Sequence, residues 1–320
     1  MQGDWNRRDF LRLAGIGGVA VVGDLFGCAG ATTASSARAP KSATDGRANA
    51  AAGGDGQRNG ALAGEFFFLQ LTDTHWGYKG ASNPQADTTL EHAVATINGT
   101  DAAPDFVVFT GDLTHMTDDA AERRARMARF REIASGLKVK DVRYIPGEHD
   151  AASDGGEAFR DAFGPTHWSF EHKGVHFVAL DNVSAKGGGA VGAEQIDWLS
   201  KELSAVPPGV PVIVFAHRPL FDLYPDWDWT TKDGAAVNEI LAARPEVTVF
   251  YGHIHQALSK TIGKVTHHSA RSLVFPLPAP GTEPKKAPLA WDPQATDHGL
   301  GWRQIALGGA APMSSEIVLR

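Results

Sequence analysis

The chain has 320 residues, 42% hydrophobic and 21% charged, a balance that fits a soluble globular protein and excludes fibrous or wholly disordered classes. A formal net charge of −7 with no basic tract in the body argues against a nucleic-acid polymer as partner, and a single cysteine excludes an internal disulfide. Thirteen histidines, several beside Asp or Gly in short clusters, are the unusual entry in the composition.

Residues 1–28 read as an export signal. Arg7 and Arg8 precede "DFL" and a Gly/Ala/Val-rich apolar stretch that is too short and glycine-rich for a comfortable membrane span. The paired arginines resemble a twin-arginine signal, which makes the export machinery an expected partner. "LFGC" resembles a bacterial lipoprotein box, so either Cys28 is lipidated or the signal is cut nearby, near Ala29 to Ala31. On the first reading the lipid is the only membrane contact. Both place the protein outside the cytoplasmic membrane, in the periplasm or anchored on the outer side. Residues 29–64 contain no aromatic side chain and read as a flexible linker, because such a composition cannot bury enough surface to order itself.

The folded domain is expected to span 65–320. "FFFLQLTD", "PDFVVFTGD" and "DVRYIPGEHD" are apolar, β-branched runs that end in Gly and acid, the pattern of strands buried on both faces. "VHFVALDN", "PVIVFAHRP" and "VTVFYGHIH" continue the series. Helical stretches fall between them, notably Thr117–Leu137 and Gly192–Leu203, so the fold class is α/β with much of its sheet buried. From about residue 271 the chain is proline-rich and reads as a wrapping C-terminal segment that closes with two short strand-like runs.

In open α/β sheets the ligand site lies at the carboxyl ends of the strands. Collected there are Asp73, His75, Asp112, Glu148, His149, His217, His253 and His255. Carboxylate oxygens and imidazole nitrogens together suit Mn, Fe or Zn. "DTH" and "HIH" each space two donors two residues apart, which on extended backbone would aim both the same way.

This ordered set resembles the calcineurin-like metallophosphoesterase family, whose pattern runs D-x-H, G-D, G-N-H-D/E, a lone H and G-H-x-H. Here it stands as "DTH" (73–75), "GD" (111–112), "GEHD" (147–150), "AH" (216–217) and "GHIH" (252–255). The resemblance implies two packed mixed β-sheets flanked by helices, a four-layer sandwich holding two metal ions bridged by hydroxide. It implies Asp73, His75 and His255 on the first metal, Asp112 bridging, and His217 and His253 on the second. It places His149 beside the phosphoryl group, where it polarises that group or donates a proton, with Asp150 orienting it.

Two positions depart from the family pattern. Glu148 stands where the family has asparagine; it either binds the second metal and adds a negative charge, or points away and leaves that metal a ligand short. His115 occupies the place of the metal-binding tyrosine of purple acid phosphatases, and reads as an outer or substrate-facing histidine. The aromatic, aspartate-rich stretch Arg218–Gly234 follows His217 directly and is a natural specificity loop. Trp227 and Trp229 either stack on a base or sugar or pack as a lid; Arg218 either meets a phosphate oxygen or pairs with a neighbouring aspartate. His267 and His268 lie close enough in sequence to approach the same mouth. The expected activity is hydrolysis of a small-molecule phosphate mono- or diester, leaning to the cyclic-nucleotide type. The alternatives are a phosphomonoesterase and a metal- or ligand-binding lipoprotein without turnover.

Overall fold

The computed structural model describes residues 65–185, 188–295, 298–308 and 312–319; the expected export signal, Cys28 and the linker lie outside them. Two sheets form the centre of the fold. The first holds β1 (Phe66–Leu71), β2 (Val107–Thr110), β3 (Val142–Ile145), β10 (Gly301–Leu307) and β11 (Met313–Val318) in the order β11-β10-β1-β2-β3. The second holds β4 (Trp168–His172), β5 (Val175–Ala179), β6 (Val212–Phe215), β7 (Val247–Tyr251), β8 (Ser259–Ile262) and β9 (Val265–Ser269) in the order β4-β5-β6-β7-β9-β8. The inner strands β1-β2-β3 and β5-β6-β7-β9 run parallel, and β4, β8, β10 and β11 pair antiparallel at the flanks.

Strand periodicity divides β1 between two cores. Phe66 and Phe68 point to the inter-sheet core, while Phe67, Leu69 and Leu71 point outward to helices. Phe68 lies flat on Phe106 at 4.6 Å and edge-on to Phe177, Phe215 and Phe250 of the second sheet, an arrangement that ring quadrupoles favour. Gln70 crosses the same gap, its amide donating to the Tyr251 carbonyl at 2.9 Å and to Thr110 Oγ1 at 3.1 Å.

Helices α1 (Ala86–Asn98), α2 (Ala120–Ala134) and α4 (Glu157–Phe163) cover the first sheet, and α5 (Ala193–Ala205) and α6 (Gly234–Ala242) cover the second. The result is the four-layer sandwich expected. α2 starts later than Thr117 because Asp119 caps it, accepting from the N–H groups of Ala121 and Glu122 at 2.8 and 3.0 Å.

Two expectations need amendment. β3 is only half-buried over three of its four residues, because it forms the edge of its sheet. The guanidinium of Arg143 covers that edge, 3.5 Å from the centroid of Phe170. The C-terminal runs do more than wrap: β10 lies between β1 and β11, inside the first sheet.

Candidate metal centre

The loops leaving β1, β2, β3, β6 and β7 converge at one edge of the sandwich. They are tied to one another through the backbone: Asp73 N–H donates to Gly111 O at 3.0 Å, His75 N–H to Asp112 O at 2.9 Å, and Gly252 N–H to His217 O at 2.9 Å. Asp73, His75, Asp112, His253 and His255 all have positive φ, between 42° and 67°, and make up five of the eight non-glycine residues in that state among those described. Such backbone costs energy and persists where its surroundings over-determine it. The paired donors of "DTH" and "HIH" therefore converge through left-handed turns, not through the extended backbone expected. At Gly147 any side chain would strike the carboxylate and N–H of Asp112, so the glycine lets two strand ends touch.

Two clusters of donor atoms result, sharing Asp112. In the first, His75 Nε2 lies 3.3 Å from His255 Nε2 and 3.4 Å from Asp112 Oδ2, and His255 Nε2 lies 3.4 Å from Asp73 Oδ1. In the second, His217 Nε2 lies 2.9 Å from Glu148 Oε2 and 3.5 Å from Asp112 Oδ2, and His253 Nδ1 lies 2.8 Å from Glu148 Oε1.

The second ring nitrogens settle which atoms can donate. His217 Nδ1 is 2.8 Å from Thr110 O, His255 Nδ1 is 2.7 Å from Phe275 O, and His253 Nε2 is 3.2 Å from Asp228 O. A carbonyl only accepts, so those nitrogens carry the protons and the inward nitrogens of the neutral rings are lone pairs. Lone pairs facing carboxylate oxygens at 2.8–2.9 Å repel unless a cation or proton stands between them. Asp73 Oδ1, Glu148 Oε2 and His217 Nε2 are accordingly buried without a hydrogen-bond partner. The donor set fits two metal ions: Asp73, His75 and His255 could hold one, Glu148, His217 and His253 the other, with Asp112 between.

The electrostatics of the donor side chains point the same way. Burial opposes a charge on His217, yet Asp112 and Glu148 overcome it and raise the imidazole well above its usual range. Burial also opposes a charge on Glu148, but His253 and His217 hold its carboxyl well below the usual range. For Asp112, burial and Glu148 push upward while His149, His217 and His75 prevail and bring it to about 2. The shell is built to keep its carboxylates ionised. Glu148 thus faces the second cluster with both oxygens.

His149 and Asp150 open α3 (Glu148–Ala151). The Met116 N–H donates to His149 Nδ1 at 3.1 Å, which puts the proton of the neutral ring on Nε2, 4.0 Å from Asp112 Oδ2. Asp150 does not orient that ring by a hydrogen bond. Its carboxylate accepts from the N–H groups of Gly147, Leu113 and Thr114 at 2.9–3.0 Å and so fixes the Asp112 loop against the Glu148 loop. Met116 and Phe275 escaped sequence reasoning because they act here through main-chain groups, which leave no side-chain signature. Asn182 did have a signal, the "DN" closing β5: its Oδ1 accepts from the N–H groups of His217 and Arg218.

The flanking loop resolves toward packing. Trp229 is fully buried and Trp227 nearly so, in a cluster with Tyr251, Ile254 and Val274, which leaves neither ring a free face for a base. Arg218 is buried and spent on Asp228, at 2.6 Å from its carboxylate, and on the carbonyls of Asp228 and Thr230. His115 stands behind His75, with 3.4 Å between their Nδ1 atoms. His267 and His268 are not at the mouth: they lie on β9, His267 bonded to Asn238 and His268 stacked on Phe250.

The chain is similar to known proteins in sequence and in fold. The family model described as calcineurin-like phosphoesterase matches residues 68–257. A cAMP/cGMP dual specificity phosphodiesterase of Mycobacterium tuberculosis is 26% identical over 208 residues, covering 62% of this chain and 64% of its own length. This chain therefore spans just under two thirds of that relative. A serine/threonine-protein phosphatase of Mus musculus is 27% identical over 222 residues, covering 60% of this chain and 70% of that protein. A dimetal phosphatase structure from Danio rerio superposes over 80% of this chain and 99% of its own, with a TM-score of 0.56 at 15% identity, a likeness of fold. With a family model spanning more than half of its length and the fold of a dimetal phosphatase, the chain belongs to the calcineurin-like phosphoesterase family.

Proposed function

We propose that the protein is an exported, metal-dependent phosphoesterase whose preferred substrate is a small phosphodiester. The observation that carries this reading is the pair of facing lone-pair clusters that share Asp112. Two metal ions, of Mn, Fe or Zn type, would supply there the positive charge that activates a water and neutralises phosphoryl oxygens during in-line displacement. His149, with its Nε2–H aimed toward Asp112, is placed to donate a proton to the departing oxygen.

Charge supports the diester over the monoester. Asp73, Asp112 and Glu148 bring three carboxylates to the centre, where a neutral asparagine in place of Glu148 would leave two. Arg218, the cation nearest in sequence to the donor His217, is occupied by Asp228. A diester arrives with one negative charge and a monoester with two, so the added carboxylate penalises the monoester more. The phosphodiesterase name of the mycobacterial relative agrees with this, and a cyclic nucleotide is the nearest substrate class by analogy. Export rests on the twin arginines of 7–8, with Cys28 as the candidate lipidated residue that would hold the enzyme on the outer side of the membrane.

The test is turnover of bis(p-nitrophenyl) phosphate and p-nitrophenyl phosphate by the metal-loaded full chain, with Asp112→Asn as control. Faster cleavage of the diester, abolished in Asp112→Asn, is the expected result. Faster cleavage of the monoester would make the protein a phosphomonoesterase, the reading the murine relative favours. No turnover of either ester by a protein holding two metals would make it a binding protein.

A further inference from the structure

We infer that His115 is a positioning residue for the first metal: it accepts the Nδ1 proton of His75 and so fixes the tautomer and aim of that ligand. The inference rests on the reading of the site as a metal centre.

His217, His253 and His255 each turn their outer nitrogen to a main-chain carbonyl, of Thr110, Asp228 and Phe275 respectively. A carbonyl fixes the tautomer permanently and cannot be removed by substitution. Among the described residues no carbonyl meets His75 Nδ1. Its Nε2 faces the first cluster, 3.3 Å from His255 Nε2 and 3.4 Å from Asp112 Oδ2, so its proton belongs on Nδ1. The partner facing Nδ1 is the Nδ1 of His115 at 3.4 Å. His115 must then present a lone pair there and carry its own proton on Nε2.

His115 is itself held from several sides. Its N–H donates to Trp76 O at 2.9 Å, its carbonyl accepts from Arg126 Nη1 at 2.8 Å, and its ring lies edge-on to Tyr78 at 5.2 Å. These contacts fix the acceptor without bringing it into the first cluster. Among the four donor histidines, His75 alone depends on an exchangeable side chain for its orientation. Outer partners of this kind typically account for about 10- to 100-fold in metal affinity.

The experiment is isothermal titration of the demetallated full chain with Zn²⁺, for the wild type, His115→Ala and His115→Asn, with the melting temperature of each as a check on folding. The expected result is two equivalents bound throughout, with one of them weakened about 10- to 100-fold in His115→Ala and the other unchanged. His115→Asn should recover most of the loss, because its Oδ1 falls where Nδ1 was and can only accept. Unchanged zinc affinities in a folded His115→Ala would overturn the inference. So would a third equivalent in the wild type that disappears in His115→Ala, since His75, His115 and His149 would then form a metal site of their own. The readout is independent of turnover: inactive protein with the expected binding pattern would retain this inference and defeat the phosphodiesterase reading, and active protein with unchanged binding would do the reverse.

Discussion

Glu148 shows how much chemistry one methylene and one charge can move. Its two oxygens span His217 and His253 at 2.9 and 2.8 Å, a reach that brings a full negative charge into the second cluster. An added anion opposes loss of a proton from any group at the centre, and so raises the pKa of whatever must be deprotonated for reaction. Replacing it by Glu148→Asn should therefore shift the acidic limb of the pH–rate profile to lower pH, by about 1 unit or more. The same variant should bind the second metal more weakly and cleave p-nitrophenyl phosphate relatively better. Profiles, metal content and substrate ratios that all match the wild type would make Glu148 a bystander. The identities of the donors were legible in sequence, since each sits in a short motif after an apolar run. Which nitrogen of His217, His253 and His255 faces inward was not, because carbonyls from residues 110, 228 and 275 decide it.

At the scale of elements, the C-terminal hairpin of β10 and β11 is joined to the second sheet by a buried arginine, which also pairs across the hairpin. Arg303 is 5% exposed; it lies 2.6 Å from Glu316 Oε1 on β11 and donates twice to the carbonyl of Ser269 on β9. Removing Arg303 would leave Glu316 with Arg271 as its remaining cation and would strip the Ser269 carbonyl of two donors. Arg303→Ala should cost about 1–3 kcal/mol, read as a lowered melting temperature, while Arg303→Met combined with Glu316→Leu should recover part of it. A melting temperature for Arg303→Ala within a degree of the wild type would show the pair to be incidental. Elements with a continuous apolar run, such as β1 and β7, could be read directly from the chain. β8, "SKTI", could not: three of its four residues are exposed, and it is a strand because β9 lies beside it.

For the whole molecule, the sheet order makes the residues after 257 part of the fold. Residues 68–257 carry all the donors of the two clusters, yet end before β8, β9, β10 and β11. A chain stopped at 257 would expose the β1 edge that Leu307, Ala306 and Ile305 cover, together with Phe66 and Phe68 beside it. Such a truncation should be insoluble, or lack cooperative unfolding by near-ultraviolet circular dichroism; a soluble, cooperatively melting product would show that β10 is dispensable. Acid should weaken the same region. Burial, with His268 and Lys260 nearby, brings His267 down to about 4, and burial with Arg303 does the same for His268. A histidine whose folded value is depressed binds its proton more readily unfolded, so the stability it supports is complete above about pH 6.5 and is lost as pH falls from there toward 4. Urea midpoints at pH 7.5 and 5 should show this loss, with a smaller one in His267→Gln; equal slopes in both proteins would assign the acid sensitivity elsewhere.

Donor identities and the layering of the fold were already legible in the chain. Apolar runs that end in Gly-Asp or Gly-His specify buried strands with donors at one edge, because strands buried on both faces have no polar side and their polar residues collect at the ends. It also contained the two departures that distinguish this centre, Glu148 in "GEHD" and His115 in "TGDLTH". Only the tertiary structure decided that Asp150 braces a loop, that Arg218 and the two tryptophans belong to packing, and that His115 stands behind His75. Those roles depend on which atom of a side chain meets which neighbour across separations such as the 40 residues between His75 and His115, and on carbonyls that every residue carries alike. A linear pattern records residue types and spacings; the direction of a lone pair is fixed only when the loops close on one another.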